Sequence, residues 1–231
     1  MQKGDFIKVN YIGKLESGEI FDLTEAEVAK KEKVYSEKIH YGPVPVILGE
    51  GFLVKGLENE LEHMNVGDRK SVKVHPKDGF GERNPTLIKV VNEKEFEKQN
   101  LTPKPGMIVD FGGIKGRIQS TAGGRVTIDF NNPLSGKVLD YEIEVVEKVE
   151  NTEDQIKSIL EFYGIAPHAA VEGSAAKITA VIQSQQMRGR IADLVLKHIK
   201  GIEKIDFIET YTKDHQKAHE KTHDKKHAEA E

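Results

Sequence analysis

The sequence predicts a multidomain α+β protein: an antiparallel strand unit with one short helix, a small β-rich insertion within it, and a C-terminal α+β unit. Three observations predict this. Ile7, Val9 and Tyr11 alternate with Lys8 and Asn10, and much later Leu139, Tyr141, Ile143 and Val145 alternate with Asp140, Glu142 and Glu144. That period of two marks half-buried strands. Between them, Gly112-Gly113 and Gly123-Gly124 separate the short runs GMIVDF, GRIQST and RVTIDF, the pattern of a small meander. From Glu150 onward the apolar spacing becomes helical. The strand around Tyr141 is expected to rejoin the sheet begun near Ile7. The divisions are therefore 1–83 with 132–149, an insertion at 84–131, and a C-terminal unit at 150–231.

Each element has a local reason. Ser17-Gly18 suits a hairpin turn before Glu19-Ile20-Phe21, and residues 24–42 are charged enough to read as an excursion. Pro45 to Leu48 reads as a strand closed by Gly49-Glu50-Gly51. In FLVKGLENELEHM, Leu53, Leu57, Leu61 and Met64 share one helical face, with Gly67 as a stop. KSVKV is a short strand, and NEKEFEKQN a helix broken by Pro103 and Pro105. In the C-terminal unit, Thr152 with Gln155 suggests a capping box before Ile156, Ile159, Leu160 and Tyr163. A strand at Lys177–Ile182, a helix lined by Met187, Ile191, Leu194, Val195 and Ile199, and a strand at Lys204–Tyr211 follow. So small a unit buries limited surface, and pairing with a second copy is expected.

Composition excludes several chemistries. The 231 residues include no cysteine, which removes disulfides, thiolate nucleophiles and Cys-ligated metals. Lys+Arg 34 against Asp+Glu 38 leaves a net charge of −4, opposite to the basic surplus of a nucleic-acid binder. No apolar run reaches the ~18 residues of a membrane span, and MQKGDFIKVN does not resemble a secretion signal. A cytoplasmic protein without membrane or nucleic-acid partners is expected.

Candidate motifs are few. Gly49, Gly51 and Gly56 follow a strand and precede a helix, but Val54 and Leu57-Glu58 stand where either nucleotide-binding loop needs other residues. No Ser/His/Asp set or paired carboxylates appear at catalytic spacing. In the tail, His215, His219, His223 and His227 recur every four residues and would share one face of a helix. Neighbouring imidazoles at that spacing can chelate nickel or zinc. A solvated polar helix with charge pairing explains the same pattern without metal.

One ordered set of residues is more specific. V9-N-Y11-I-G-K-L-E-S-G-E-I-F21-D22, then V46-I-L48-G49-E-G-F-L-V-K-G56-L-E-N-E-L, M64-N-V-G67-D and P76-K-D-G-F80-G81 resemble the FKBP family of peptidyl-prolyl cis-trans isomerases over roughly residues 1–149. N132-P-L-S-G-K-V-L-D is similar to the point where the insert-in-flap domain of SlyD-type members returns to the core. The whole chain resembles a long archaeal-type member. The resemblance implies an antiparallel half-barrel wrapped on a short helix, with an apolar prolyl pocket and no cofactor.

The resemblance also implies roles. Tyr11 and Tyr141 would wall the prolyl site, with Phe21 beside it, Leu57 as floor, and Asp22 hydrogen-bonded to the Tyr11 hydroxyl. Val44, Leu53, Val54 and Phe80 complete the set, and the Val54 N–H would bind a peptide carbonyl. Each also has a plainer reading: Tyr11, Leu53 and Tyr141 suit any core, and Asp22 suits a turn. Two positions depart from the family. Leu57 stands where Trp is common, and Phe80 replaces a Tyr whose hydroxyl donates to substrate. Losing that bond costs about 0.5–1.5 kcal/mol of binding, so a modest isomerase is expected. The resemblance further implies that the insertion binds unfolded or proline-containing polypeptides. On physical grounds a small meander with open edges and apolar Met107, Ile108 and Phe111, with Val109, Ile114 and Ile118 nearby, suits strand addition by an extended peptide. Those side chains could equally fill the meander's own core. A homodimer through the C-terminal unit would present two such arms.

Overall fold

The computed structural model describes residues 1–98 and 100–210. The tail histidines His215, His219, His223 and His227 lie outside the described residues. β1 (Phe6–Leu15) turns at Ser17-Gly18 into the short β2 (Ile20–Leu23). The excursion that follows contains a short helix, α1 (Ala26–Lys31), and a loop in which the Tyr35 and Tyr41 rings stack at 5.2 Å. β3 (Val44–Ile47) pairs with the first half of β1 while β2 pairs with its second half, both antiparallel. One bent strand thus carries two neighbours on the same edge.

The helix after β3 is shorter than the apolar spacing suggests. Residues 49–53 form turns, Val54 is the extended N-cap, and α2 spans only Lys55–Leu61. Leu57 and Leu61 are fully buried, and Met64 follows them into the core. β4 (Arg69–Val74) lies against this helix. Their approach is so close that a Cβ on Gly56 would meet Val74 Cγ1 at 2.8 Å.

The inserted region holds a four-stranded antiparallel sheet, not the three strands read from its turns. β5 (Ile88–Asn92) precedes α3 (Lys94–Glu97), β6 (Ile108–Phe111), β7 (Ile114–Ala122) and β8 (Arg125–Asp129), in the spatial order β5-β8-β7-β6. β5 escapes sequence reading because no clean face is buried: Val90 is exposed and Ile88 and Val91 only partly covered. Phe96, Val109, Ile118, Val126 and Ile128 form a core of their own.

β9 (Leu139–Lys148) then returns to the first sheet, as its alternation predicts, and lies between β1 and β4 in the order β2-β1-β9-β4. Tyr141 sits opposite both Gly13 and Val72. Leu139, Tyr141, Ile143 and Val145 are buried with Ile7, Val9, Leu57 and Leu61.

α4 (Thr152–Phe162) is capped by Asn151, whose side chain accepts from the N–H groups of Glu153 and Asp154, so the cap lies one residue before the expected Thr152. A hairpin of β10 (Ala169–Glu172) and β11 (Ala175–Thr179) follows, then α5 (Gln185–His198) and β12 (Lys204–Ile208). β12 lies parallel to β11. β10 was not anticipated because Ala-Ala-Val-Glu carries little strand preference and gains its place by pairing. Ile156, Leu160, Ile191, Leu194 and Val195 are buried together with Phe6 and Ile47 of the first sheet and with Val149 just beyond it. Within one chain, then, the C-terminal unit buries apolar surface against the first sheet. Among the described residues no helix is long and apolar enough to cross a membrane.

Candidate functional site

The first sheet, α2 and the loop after β4 gather residues from six separate stretches. Tyr11 comes from β1, Phe21 and Asp22 from β2, Val44 from β3, Leu53 and Val54 from the turn leading into α2 with Leu57 in its first turn, Phe80 from the loop after β4, and Tyr141 from β9. All but Asp22 pack within one apolar cluster: Leu57 and Tyr141 are buried, the others half-buried. The half-buried side chains leave hydrocarbon and aromatic edges exposed around the buried Leu57 and Tyr141, the candidate hollow for an apolar guest.

Tyr141 is the pivot. Its ring stands edge-on to Phe21 at 5.7 Å and 90°, and to Tyr11 at 6.2 Å and 68°. The Tyr11 hydroxyl donates to Asp22 Oδ2 at 2.9 Å, which fixes that ring and points one charge along the rim. Burial first, and then the Asp22 carboxylate, push the Tyr11 phenol well above the ordinary tyrosine range. The same two causes lift Tyr141 to about 12. Both phenols are therefore neutral hydrogen-bonding groups at physiological pH. Among the described residues the Val54 N–H has no acceptor, while its carbonyl receives the N–H groups of Leu57 and Glu58. That leaves one main-chain donor at the hollow's edge for a ligand carbonyl.

Four further residues shape the site, and the sequence alone assigns none of them a role. Gly13 faces Asp22 and Tyr141 across the sheet, and a Cβ there would lie 2.6 Å from Phe21 Cζ and 3.0 Å from Tyr141 Cε1. Only glycine lets the two rings sit this low on the sheet. Leu134 packs against the same cluster. Ser135 Oγ donates to the Phe80 carbonyl at 2.9 Å, and the Gly136 N–H to the Gly81 carbonyl at 2.8 Å. The Asn-Pro-Leu-Ser-Gly stretch thus holds the Phe80 loop in place. Its position in the sequence was the available signal.

Met107, Ile108 and Phe111 are not brought to this hollow. With Phe96 and Leu101 they border a separate apolar depression of about 240 Å³ in the inserted region. The two readings of that region divide between residues. Val109 and Ile118 fill its own core, whereas Ile108 is 61% exposed, Ile114 62% and Phe111 37%. The connections to the first sheet are clasped. Asn131 Nδ2 donates to the Asn84 carbonyl at 3.0 Å, the Asn84 N–H donates to Asn131 Oδ1 at 2.8 Å, and Arg83 pairs with Asp129. Beside the clasp, a cleft of about 770 Å³ runs from Phe21 and Leu134 to Arg117 of β7. Among the described residues no group of His, Asp and Glu is placed to hold a metal ion.

Comparison with known proteins places the chain in a family. The family model for FKBP-type peptidyl-prolyl cis-trans isomerases matches residues 1–99, and a model described as the FKBP26 IF domain matches residues 89–134. The short-type peptidyl-prolyl cis-trans isomerase of Methanocaldococcus jannaschii is 36% identical over 145 residues, covering 63% of this chain and 92% of the relative. The FKBP-type 16 kDa isomerase of Escherichia coli is 34% identical over 105 residues, 43% of this chain and 70% of that protein. The SlyD isomerase of Vibrio cholerae is 30% identical over 147 residues, 62% and 73% respectively. The extent of these matches makes the chain a member of the FKBP-type peptidyl-prolyl cis-trans isomerase family.

Proposed function

We propose that this chain, working in the cytoplasm, speeds rotation about X–Pro bonds in the hollow between Tyr11, Phe21, Leu57 and Tyr141, and holds unfolded clients through its inserted sheet. The observation that carries the first part is the edge-on arrangement of Phe21 and Tyr11 around the buried Tyr141, beside an unpartnered Val54 N–H. Rotation faces a barrier of ~18–20 kcal/mol because the amide must lose its resonance. Unassisted, it takes about 10–100 s. No covalent bond changes, so no nucleophile is needed. The planar ground state is strongly polarised and well solvated, whereas the twisted state has lost much of its dipole. A dry hydrocarbon pocket disfavours the former relative to the latter. The prolyl ring would sit over Leu57, and the Val54 N–H would anchor a neighbouring carbonyl so that only the imide turns.

The second part rests on Ile108, Phe111 and Ile114, which leave an apolar margin exposed on β6 and β7. β6 is an edge strand, and an extended client can add to it through main-chain hydrogen bonds. Tethering there would raise the local concentration of client prolines at the hollow. The test is a side-by-side assay on a proline tetrapeptide and on a protein whose refolding is limited by proline isomerisation. Deleting residues 84–131 is expected to spare tetrapeptide turnover and sharply reduce refolding catalysis. Paired replacement of Ile108 and Ile114 by Lys should act in the same direction. Equal loss on both substrates would refute the division of labour.

A further inference from the structure

The C-terminal unit takes no part in the reading above, yet it grips the segment that forms one lip of the prolyl hollow. Glu50 lies in the turn between β3 and α2, with its side chain only 9% exposed. Three side chains of α5 converge on its carboxylate: Lys197 Nζ at 2.5 Å, His198 Nε2 at 2.9 Å and Arg190 Nη2 at 3.1 Å. Arg190 also donates to the Glu50 carbonyl at 3.3 Å, so main chain and side chain are held together. Two residues on, the Phe52 ring meets Phe162 of α4 at 4.2 Å and packs against both the prolyl-side core and the C-terminal core. Leu53 and Val54 come next, and both belong to the hollow.

The turn has little stiffness of its own. Gly49 and Gly51 flank Glu50 at φ 85° and 74°, a conformation only glycine adopts freely, and glycine also frees the chain to leave it. A solvent-exposed turn needs no such clamp, because water satisfies a lone glutamate. Here one carboxylate collects donors from a helix more than 130 residues away in sequence. A ligand-binding N–H three residues beyond a glycine pair is useful only if something else fixes it.

We propose that α4 and α5 brace the 50–54 segment, and that Glu50 is a positioning residue for the prolyl site, setting where the Val54 N–H meets a substrate carbonyl. The inference rests on the isomerase reading for its effect on rate, but not for its effect on the segment's rigidity.

The experiment uses the full chain. Glu50→Gln and the pair Arg190→Ala with Lys197→Ala loosen the clamp. Lys177→Ala removes an ion pair to Glu172 elsewhere in the same unit and serves as control. Two quantities are read: isomerisation of a short X–Pro peptide, with kcat and KM separated, and amide hydrogen exchange at residues 51–54 against that in β9. Both clamp variants are expected to lower kcat/KM about tenfold and to speed exchange at 51–54, with β9 protection unchanged and the control near wild type. Unchanged kcat/KM in the clamp variants, or an equal loss in Lys177→Ala, overturns the proposal. If the wild type itself fails to accelerate the peptide, the isomerase reading falls. The brace is then judged by exchange, and unaltered protection at 51–54 overturns it.

Discussion

Gly13→Ala separates activity from stability more cleanly than any change to the pocket side chains. The added methyl would stand 2.6 Å from Phe21 Cζ and 2.9 Å from Phe21 Cε2, with Tyr141 Cε1 at 3.0 Å. Carbon atoms rest at about 3.5–4.0 Å, so a ring must retreat by roughly 1 Å. Tyr141 is 5% exposed within the core and has nowhere to go, whereas Phe21 is half-buried and can tilt outward. Overpacking costs about 1–3 kcal/mol. Phe21's freedom favours the low end of that range, and the loss of glycine's entropy in a strand offsets about 0.5–1 kcal/mol more. Stability should therefore fall by no more than about 1 kcal/mol. The site suffers more, because a 1 Å misplacement can cost about a hundredfold. The assay pairs urea denaturation with tetrapeptide isomerisation. We expect kcat/KM to drop by about 10- to 100-fold while the unfolding midpoint barely moves. Activity within about twofold of wild type would show that Phe21 is not a wall of the reacting site.

Other consequences concern single groups. Phe80→Tyr adds a hydroxyl that can donate to a substrate carbonyl and should raise kcat/KM by the worth of one hydrogen bond, about 0.5–1.5 kcal/mol; a decrease would place Phe80 away from substrate. Tyr11→Phe removes the 2.9 Å bond to Asp22 and should lower kcat/KM about two- to twelvefold, with no effect counting against a role for that ring's orientation. Because burial lifts both phenols, Tyr141 to about 12, peptide turnover should stay level past the ordinary tyrosine value, and an inflection near pH 10 would contradict this. The hydrogen bond from Lys197 leads in holding Glu50 down at about 2, against partial burial that raises it and with His198 assisting. That stabilisation is complete above the ordinary value of 4.5 and is lost as pH falls towards 2. With Lys197 and Arg190 open to solvent, it amounts to about 1–2 kcal/mol. Glu50→Gln should lack this acid-sensitive component in urea midpoints measured from pH 6 to 2, and identical pH profiles would refute the assignment.

What could be read from sequence was whatever depends on local pattern. β9 was legible because one face is buried from Leu139 to Val145, and β1 through Ile7 and Val9, although Phe6 and Ile12 on its other face are buried as well. α2 was legible through Leu57 and Leu61, though its start was not, because Phe52 and Leu53 keep helical spacing while lying in a turn. β5 and β10 were illegible for a shared reason: their residues carry weak patterns, and pairing with β8 and β11 decides their conformation. Within the site, the aromatic residues stood out by type and order. Gly13 and Glu50 did not, because a glycine in a strand and a glutamate between glycines look like interruptions until a distant partner is known. Phe21 and Tyr141 give Gly13 its meaning, and α5 gives Glu50 its own.

The most direct measurement is cis–trans exchange of a short X–Pro peptide followed by two-dimensional NMR, with catalytic amounts of the full chain, a chelator present, and pH varied from 5 to 9. A pocket that eases imide torsion with neutral phenols and hydrocarbon should accelerate exchange throughout, with a flat pH profile and no metal requirement. No acceleration, or a rate that follows a titrating group or disappears with the chelator, would contradict it.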